Sequence, residues 1–176
     1  ELKQAAPASG SGFTLIDKLA NLTAGTYYMA GYLTESSGTG ATVFTPYTYH
    51  LWIGTVNGGD CVTTNYQYES NQLTINPATT GEAVTMELVA AGAANTYYIK
   101  IGDKYLKNGT SATNRKLTLV DVASGAEWVF SDFSTGGIVA SNDGVSLGSA
   151  NAASKILRSY KSADTLKYGL YFFKAN

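Results

Sequence analysis

Residues 128–130 read Trp-Val-Phe, and similar triplets stand 42 residues away on either side: Met-Glu-Leu at 86–88 and Leu-Tyr-Phe at 170–172. In each triplet a large apolar residue recurs two positions later, which is the alternation of a strand with one buried face. Because the two intervals are equal, the triplets predict three equivalent strands. We expect the six flanking side chains of the triplets to face one shared core.

Each of these strands closes a predicted unit of four strands. Ile99 precedes Leu117 by 18 residues, and Ile138 precedes Ile156 by the same interval. Three such units predict an all-β domain with the pattern of a β-trefoil, because three units around a threefold axis close a sheet that one unit leaves open. The alternative is a β-sandwich. Equal spacings disfavour it, since the strands of a sandwich need not repeat.

The repeat predicts a single domain over residues 25–176. Its three lobes have approximate bounds of 25–94, 95–134 and 135–176. The first lobe contains an insertion, because Met29 precedes Leu73 by 44 residues, which is 26 more than the matching step in the other lobes.

Two segments precede the repeat. Residues 1–12 are rich in Ala, Ser and Gly, and we interpret them as a linker of the kind that follows a removed signal peptide or a lipid anchor upstream of residue 1. Residues 13–24 form a short lead-in that is helical or a turn. Within it, residues 14–22 place leucine and isoleucine on one helical face, and Thr14–Asp17 resembles a capping box.

Composition excludes several classes of function. Only 14% of the residues are charged and the formal net charge is −1, so nothing favours nucleic-acid binding. No apolar run is long enough for a transmembrane helix. The chain has one cysteine, Cys61, and one histidine, His50, which excludes an internal disulfide and a zinc site made of these residue types. We expect no cofactor, a buried Cys61, and a His50 in the core or at its rim.

Two common catalytic motifs are missing from the sequence. It contains no H-E-x-x-H and no P-loop, and its carboxylates are scattered rather than paired as glycoside hydrolysis requires. We therefore predict that the protein is not an enzyme. A hydrolase whose acids meet only after folding is the alternative.

The insertion is the candidate functional region. It falls within residues 33–72 and is rich in aromatic residues, whose flat faces stack on sugar rings while nearby carboxylates and amides accept hydrogen bonds from hydroxyls. The candidate ligand-binding residues are Tyr47, Tyr49, Trp52, Asp60, Tyr66 and Tyr68. Alternatively these rings are core residues, because one face of a strand in this region should be buried.

Two weaker candidates lie in the other lobes. Asp103 and Asp143 occupy corresponding turns with Tyr105 and Tyr160 near by, although turn chemistry alone explains such residues. A mildly basic group, interpreted as a solvated face, consists of Lys100, Lys104, Lys107, Arg115 and Lys116.

Two stretches resemble known families. Residues 97–106 followed by 126–130 are similar to a lobe of fascin-like and ricin-like β-trefoils. Residues 157–161 and 167–173 resemble the C-terminal modules of secreted and surface-lipoprotein chains from gut Bacteroidetes. The resemblance implies an exported domain associated with glycan-handling machinery. The chain has no Gln-x-Trp in any lobe, so the galactose pocket of ricin-type lectins does not carry over.

These features together predict a non-catalytic binding module that is secreted or held at the outer cell surface. A glycan is the expected partner. The alternative is a protein-interaction or structural accessory domain in a complex of surface proteins.

Overall fold

Strands make up most of the part of the chain that the structure describes. A computed structural model describes residues 12–33, 48–75, 81–149 and 156–176. Within these ranges the strands are β1 (Phe13–Ile16), β2 (Gly25–Leu33), β3 (Thr48–Asn57), β4 (Asp60–Glu69), β5 (Gln72–Ile75), β6 (Met86–Ala90), β7 (Thr96–Ile101), β8 (Lys104–Asn108), β9 (Leu117–Val120), β10 (Glu127–Asp132), β11 (Ile138–Asn142), β12 (Val145–Ser149), β13 (Ile156–Tyr160) and β14 (Tyr171–Ala175). Short 3-10 turns at Leu19–Asn21 and Ala163–Thr165 are the helical elements there, and none of the helices in these ranges has the length and apolar character that crossing a membrane requires. The prediction of an all-β fold is confirmed.

Six strands pair edge to edge around a closed ring. β2 pairs with β6, β6 with β7, β7 with β10, and β10 with β11, all antiparallel. β14 pairs with β2. The ring closes where Ile138 in β11 bridges Leu170, the residue before β14: the Ile138 N–H donates to the Leu170 carbonyl at 2.8 Å, and the Leu170 N–H donates back at 2.6 Å. In a closed ring each of these strands has a hydrogen-bonded neighbour at both of its edges.

One hydrophobic core fills the ring, and the sequence repeat predicted it. The six flanking residues of the three triplets are at most 2% exposed and belong to this core: Met86, Leu88, Trp128, Phe130, Leu170 and Phe172. Fully buried residues from β2, β7 and β11 join them: Met29, Ile99 and Ile138.

Three further antiparallel pairs, β3–β4, β8–β9 and β12–β13, complete the ring core. The sequence matched Leu73, Leu117 and Ile156, and this alignment is wrong at two positions. Leu117 lies in the ring core with Leu157 and Cys61, whereas Ile156 is only partly buried and Leu73 packs elsewhere. Cys61 and Leu157 face each other across the β4–β13 pair. The 26 additional residues of the first predicted lobe therefore lie partly before Cys61 and partly after it.

The lead-in begins with a strand, and the expectation of a helix over residues 14–22 is wrong. β1 pairs antiparallel with β14. The Thr14 hydroxyl donates to the Asn176 side-chain oxygen instead of capping a helix. Phe13 and Ile16 are buried in different hydrophobic clusters, because residues three positions apart on a strand face opposite sides of the sheet. The lead-in was predicted to be helical or a turn, and the 3-10 turn at Leu19–Asn21 agrees with the second of these.

A second hydrophobic cluster lies on the outer side of β14 and β2. Side chains along β14 alternate between the two cores: Phe172 faces the ring core, whereas Tyr171 and Phe173 face the second cluster. The other buried members come from β1 to β5 and from the segment before β6: Phe13, Ala30, Tyr49, Leu51, Tyr66, Leu73 and Ala83. The described part of the insertion therefore builds a second layer against the ring.

Gly169 lies at the closure of the ring and leaves no room for a side chain. A Cβ there would lie 2.7 to 2.8 Å from backbone atoms of Ile138. We predict that Gly169→Ala lowers the melting temperature by several degrees more than Gly58→Ala does. At Gly58 a Cβ would meet nothing within 4 Å, and only its φ of +59° opposes a side chain. Thermal unfolding followed by circular dichroism measures both, and equal losses would contradict closure at this point.

Candidate functional site

Three of the rings predicted to bind a ligand are core residues. Trp52 and Tyr66 are fully buried and Tyr49 is 6% exposed. The Trp52 Nε1–H donates to the Thr55 carbonyl at 2.9 Å, and the Tyr66 hydroxyl accepts from the Ala83 N–H at 3.1 Å. Rings held in this way present no face for a sugar to stack on. For these three residues the core interpretation describes the structure.

Tyr49 lies at the centre of the second cluster. Its ring centroid is 5.0 Å from that of Phe173, 5.1 Å from that of Tyr32 and 5.6 Å from that of Tyr171, all with tilted or edge-to-face geometry. Burial raises the pKa of Tyr49, and the nearby Tyr171 raises it further. Part of the aromatic richness of the insertion therefore serves its packing against β14.

Asp60 is engaged by two arginine side chains. Its Oδ2 accepts from Arg115 Nη2 at 2.9 Å and from Arg158 Nε at 3.4 Å, and its side chain is 7% exposed. Asp60, Arg115 and Arg158 come from the first, second and third lobe respectively. This carboxylate therefore links the lobes to one another, and a sugar hydroxyl would have to compete with two guanidinium groups for it.

His50 is a hydrogen-bonded core residue, which is one of the two positions that the sequence predicted for it. Nδ1 lies 2.9 Å from Thr63 Oγ1, and Nε2 lies 3.3 Å from Ser149 Oγ. Gly31 makes this placement possible, because a Cβ at that position would lie 2.0 Å from Nε2. Burial lowers the pKa of His50 to about 3, so the imidazole is neutral and too weak a base for general-base catalysis near pH 7.

Tyr68 is the predicted residue that lines a surface cleft, whereas Tyr47 lies outside the described residues. The cleft has a volume of about 370 Å³, and among the described residues Tyr68, Glu69, Ser70 and Asn71 line it. It opens at the turn between β4 and β5, where Ser70 and Asn71 have φ values of 51° and 62°. Two successive residues with positive φ form the tight turn that suits the twist of a hairpin. The volume is within the range of small-ligand pockets.

Both the ring and the hydroxyl of Tyr68 are fixed. The ring packs edge-on against Phe173, with centroids 4.8 Å apart. The hydroxyl donates to the Phe13 carbonyl at 2.8 Å and lies 3.2 Å from Asn71 Oδ1. The Phe13 N–H in turn donates to the Asn71 carbonyl at 2.8 Å, so β1 supports the turn. A ring that is already immobilised loses little entropy when a ligand binds.

The lining combines a half-buried aromatic ring with three exposed polar residues. Glu69 supplies a carboxylate, Asn71 an amide and Ser70 a hydroxyl. This combination suits a polyhydroxylated ligand, because the ring accepts an apolar face and the oxygens accept hydroxyl hydrogen bonds. Glu69 is the one acid among the described lining residues, so the carboxylate pair of a glycosidase is not found in that part of the cleft.

The sequence did not single out Glu69, Ser70 or Asn71. A signal existed, because Ser-Asn between two alternating segments is a common turn pair and it directly follows Tyr68. The strand before the turn was interpreted as part of the insertion and Leu73 after it as the third strand of the first unit, so the pairing of β4 with β5 across this turn was not predicted.

The remaining sequence candidates do not come together as one site. Asp103 and Asp143 are exposed turn residues, and Asp143 accepts from the Ser111 hydroxyl at 3.0 Å, as turn chemistry explains. Lys104 pairs with Asp121, so part of the mildly basic group is neutralised. In the ranges that the structure covers, no three His, Cys, Asp or Glu side chains gather as a metal site.

Comparison with models of known protein families, with curated proteins and with solved structures finds no match for this chain. Among the predicted ligand-binding residues that the structure describes, Tyr68 alone lines the cleft at the turn between β4 and β5.

The buried His50 makes stability depend on pH. Its pKa is near 6.5 in the unfolded chain and about 3 in the folded protein, so the unfolded chain takes up the proton first as the pH falls. We predict that the free energy of unfolding falls by about 1.4 kcal/mol for each pH unit below about 6. Urea unfolding between pH 7 and pH 5 measures this. His50→Gln, which cannot titrate, should have a flatter profile, and the same slope in both proteins would contradict the assignment.

Proposed function

We propose that the chain is a β-trefoil with additions to its first lobe. The closed ring of six strands and the three outer pairs β3–β4, β8–β9 and β12–β13 support this. They divide into four strands for each lobe, with β1 and β5 left over beside the first. A β-sandwich would instead consist of two sheets that each keep free edges. The continuous pairing around the ring favours the trefoil.

We further propose that the protein is a non-catalytic carbohydrate-binding module that is secreted or held at the outer cell surface. The cleft at Tyr68 is the observation that carries this proposal. It combines an immobilised aromatic ring with exposed acceptors for hydroxyl groups, and its volume is within the range of small-ligand pockets.

The charge of the cleft favours a neutral ligand. A sugar would place its C–H face on Tyr68 and donate hydroxyl hydrogen bonds to Glu69 and Asn71. Sugars with a carboxylate or a sulfate group would meet the negative charge of Glu69, and like charges at this distance cost affinity. The proposed ligand class is therefore neutral glycans.

We predict that Tyr68→Ala and Glu69→Gln each weaken binding of the preferred glycan by about tenfold or more, because each removes a stacking face or a charged acceptor worth roughly 1–3 kcal/mol. A glycan array followed by calorimetry on the best ligand measures this. Tyr68→Phe should retain most of the affinity, since it keeps the ring. Tyr160→Ala is the matched control, because it removes a half-buried tyrosine of the third lobe.

Two results would contradict the proposal. One is that no neutral glycan binds. The other is that binding is unchanged in Tyr68→Ala and Glu69→Gln while both variants stay folded. A stable protein partner that is captured without any dependence on sugar would favour the protein-interaction alternative.

A further inference from the structure

A second group of side chains stands on the outer face of the second lobe. It consists of Tyr98 and Lys100 on β7, Tyr105 on β8 and Glu127 on β10. None of these three strands pairs with β4 or β5, which carry the cleft. Residue spacing alone did not reveal the group, because the register between strands brings its members together.

The register places the four side chains next to one another. Tyr98 lies directly opposite Glu127 in the β7–β10 pair, and Lys100 lies opposite Tyr105 in the β7–β8 pair. The two tyrosine ring centroids are 5.7 Å apart with an angle of 72° between the planes. The Tyr98 hydroxyl donates to Glu127 Oε1 at 3.3 Å, and Lys100 Nζ lies 5.9 Å from the centre of the Tyr105 ring.

The ring core does not use these side chains. On β7, Ile99 belongs to the core and Tyr97 packs edge-on against Phe130 at 5.5 Å between centroids. Side chains alternate along a strand, so Tyr98 and Lys100 project to the other side. Both remain only partly buried. On β10, Val129 shares this outer side with Glu127 and is 53% exposed, which adds apolar surface near the two tyrosines.

The chemistry of the group resembles that of the cleft. Two aromatic rings offer apolar faces, Glu127 accepts hydrogen bonds from hydroxyl groups, and Lys100 donates them to hydroxyl or ring oxygens. Glu87 on β6 lies directly opposite Lys100 in the β6–β7 pair, so two carboxylates flank one ammonium group and a negatively charged ligand is disfavoured. A neutral sugar carries donors and acceptors on every ring and fits this pattern.

We propose that Tyr98, Lys100, Tyr105 and Glu127 form a second carbohydrate-binding site for neutral glycans. The site extends the function proposed above, but it stands on residues separate from the cleft. A polysaccharide long enough to span both sites would gain apparent affinity of up to about 10²–10⁴ without any new contact.

Calorimetry with three neutral β-1,4-linked hexasaccharides, cellohexaose, xylohexaose and mannohexaose, tests the proposal by stoichiometry. The wild-type protein should bind at least one of them with two sites. Tyr105→Ala and Glu127→Gln should each reduce the stoichiometry from two to one and leave the dissociation constant of the remaining site unchanged. Lys104→Ala, which removes the neighbouring exposed lysine, should keep two sites. Thermal unfolding verifies that every variant is folded.

The outcomes separate the two sites. Tyr68→Ala should also reduce the stoichiometry to one, and the double variant Tyr68→Ala/Tyr105→Ala should bind nothing. A single site that Tyr68→Ala abolishes and Tyr105→Ala leaves intact would overturn the second site and keep the cleft. A single site with the opposite response would overturn the cleft and keep the second site. Binding of no neutral glycan, either among the three hexasaccharides or on the glycan array, would overturn both.

Discussion

The structure depends on β14 being buried on both faces. Phe172 and the preceding Leu170 fill the ring, while Tyr171 and Phe173 of the same strand are covered by the second cluster. A strand with two buried faces has to be covered from outside, and the first-lobe insertion together with β1 supplies that cover. The aromatic richness of the insertion follows from this requirement, because large flat side chains bury much area with few residues.

Burial of the described part of the insertion, residues 48–69, leaves little of that part for recognition. Trp52 and Tyr66 contribute to packing, Asp60 links the lobes through two arginines, and Tyr68 is left at the edge where β4 turns into β5. The same packing that removes the other rings from solvent holds Tyr68 in place, since Phe173 supports its ring and the Phe13 carbonyl receives its hydroxyl hydrogen. The second core therefore also preorganises Tyr68 for the proposed ligand.

Sequence patterns predicted what depends on local periodicity and missed what depends on distant partners. The 42-residue spacing identified the ring core because alternation within a strand fixes which side chains share a face. Alternation could not tell that β14, more than a hundred positions away, would cover Tyr49. The lead-in was misread because the apolar positions of residues 14–22 also suit a helix, and pairing of β1 with β14 decided the outcome. Tyr98 and Glu127 meet only through the register of β7 with β10.

Because β14 is buried against both cores, we expect the described part of the insertion and the ring to unfold as one cooperative unit. Native-state hydrogen exchange across β3 and β4, compared with β10, tests this claim most directly. Protected amides in all three strands should exchange with the same opening free energy, equal to that of global unfolding, because exposing Tyr49 or Tyr66 also uncovers the outer face of β14. Exchange of β3 and β4 at a much lower opening free energy, with β10 still protected, would contradict it.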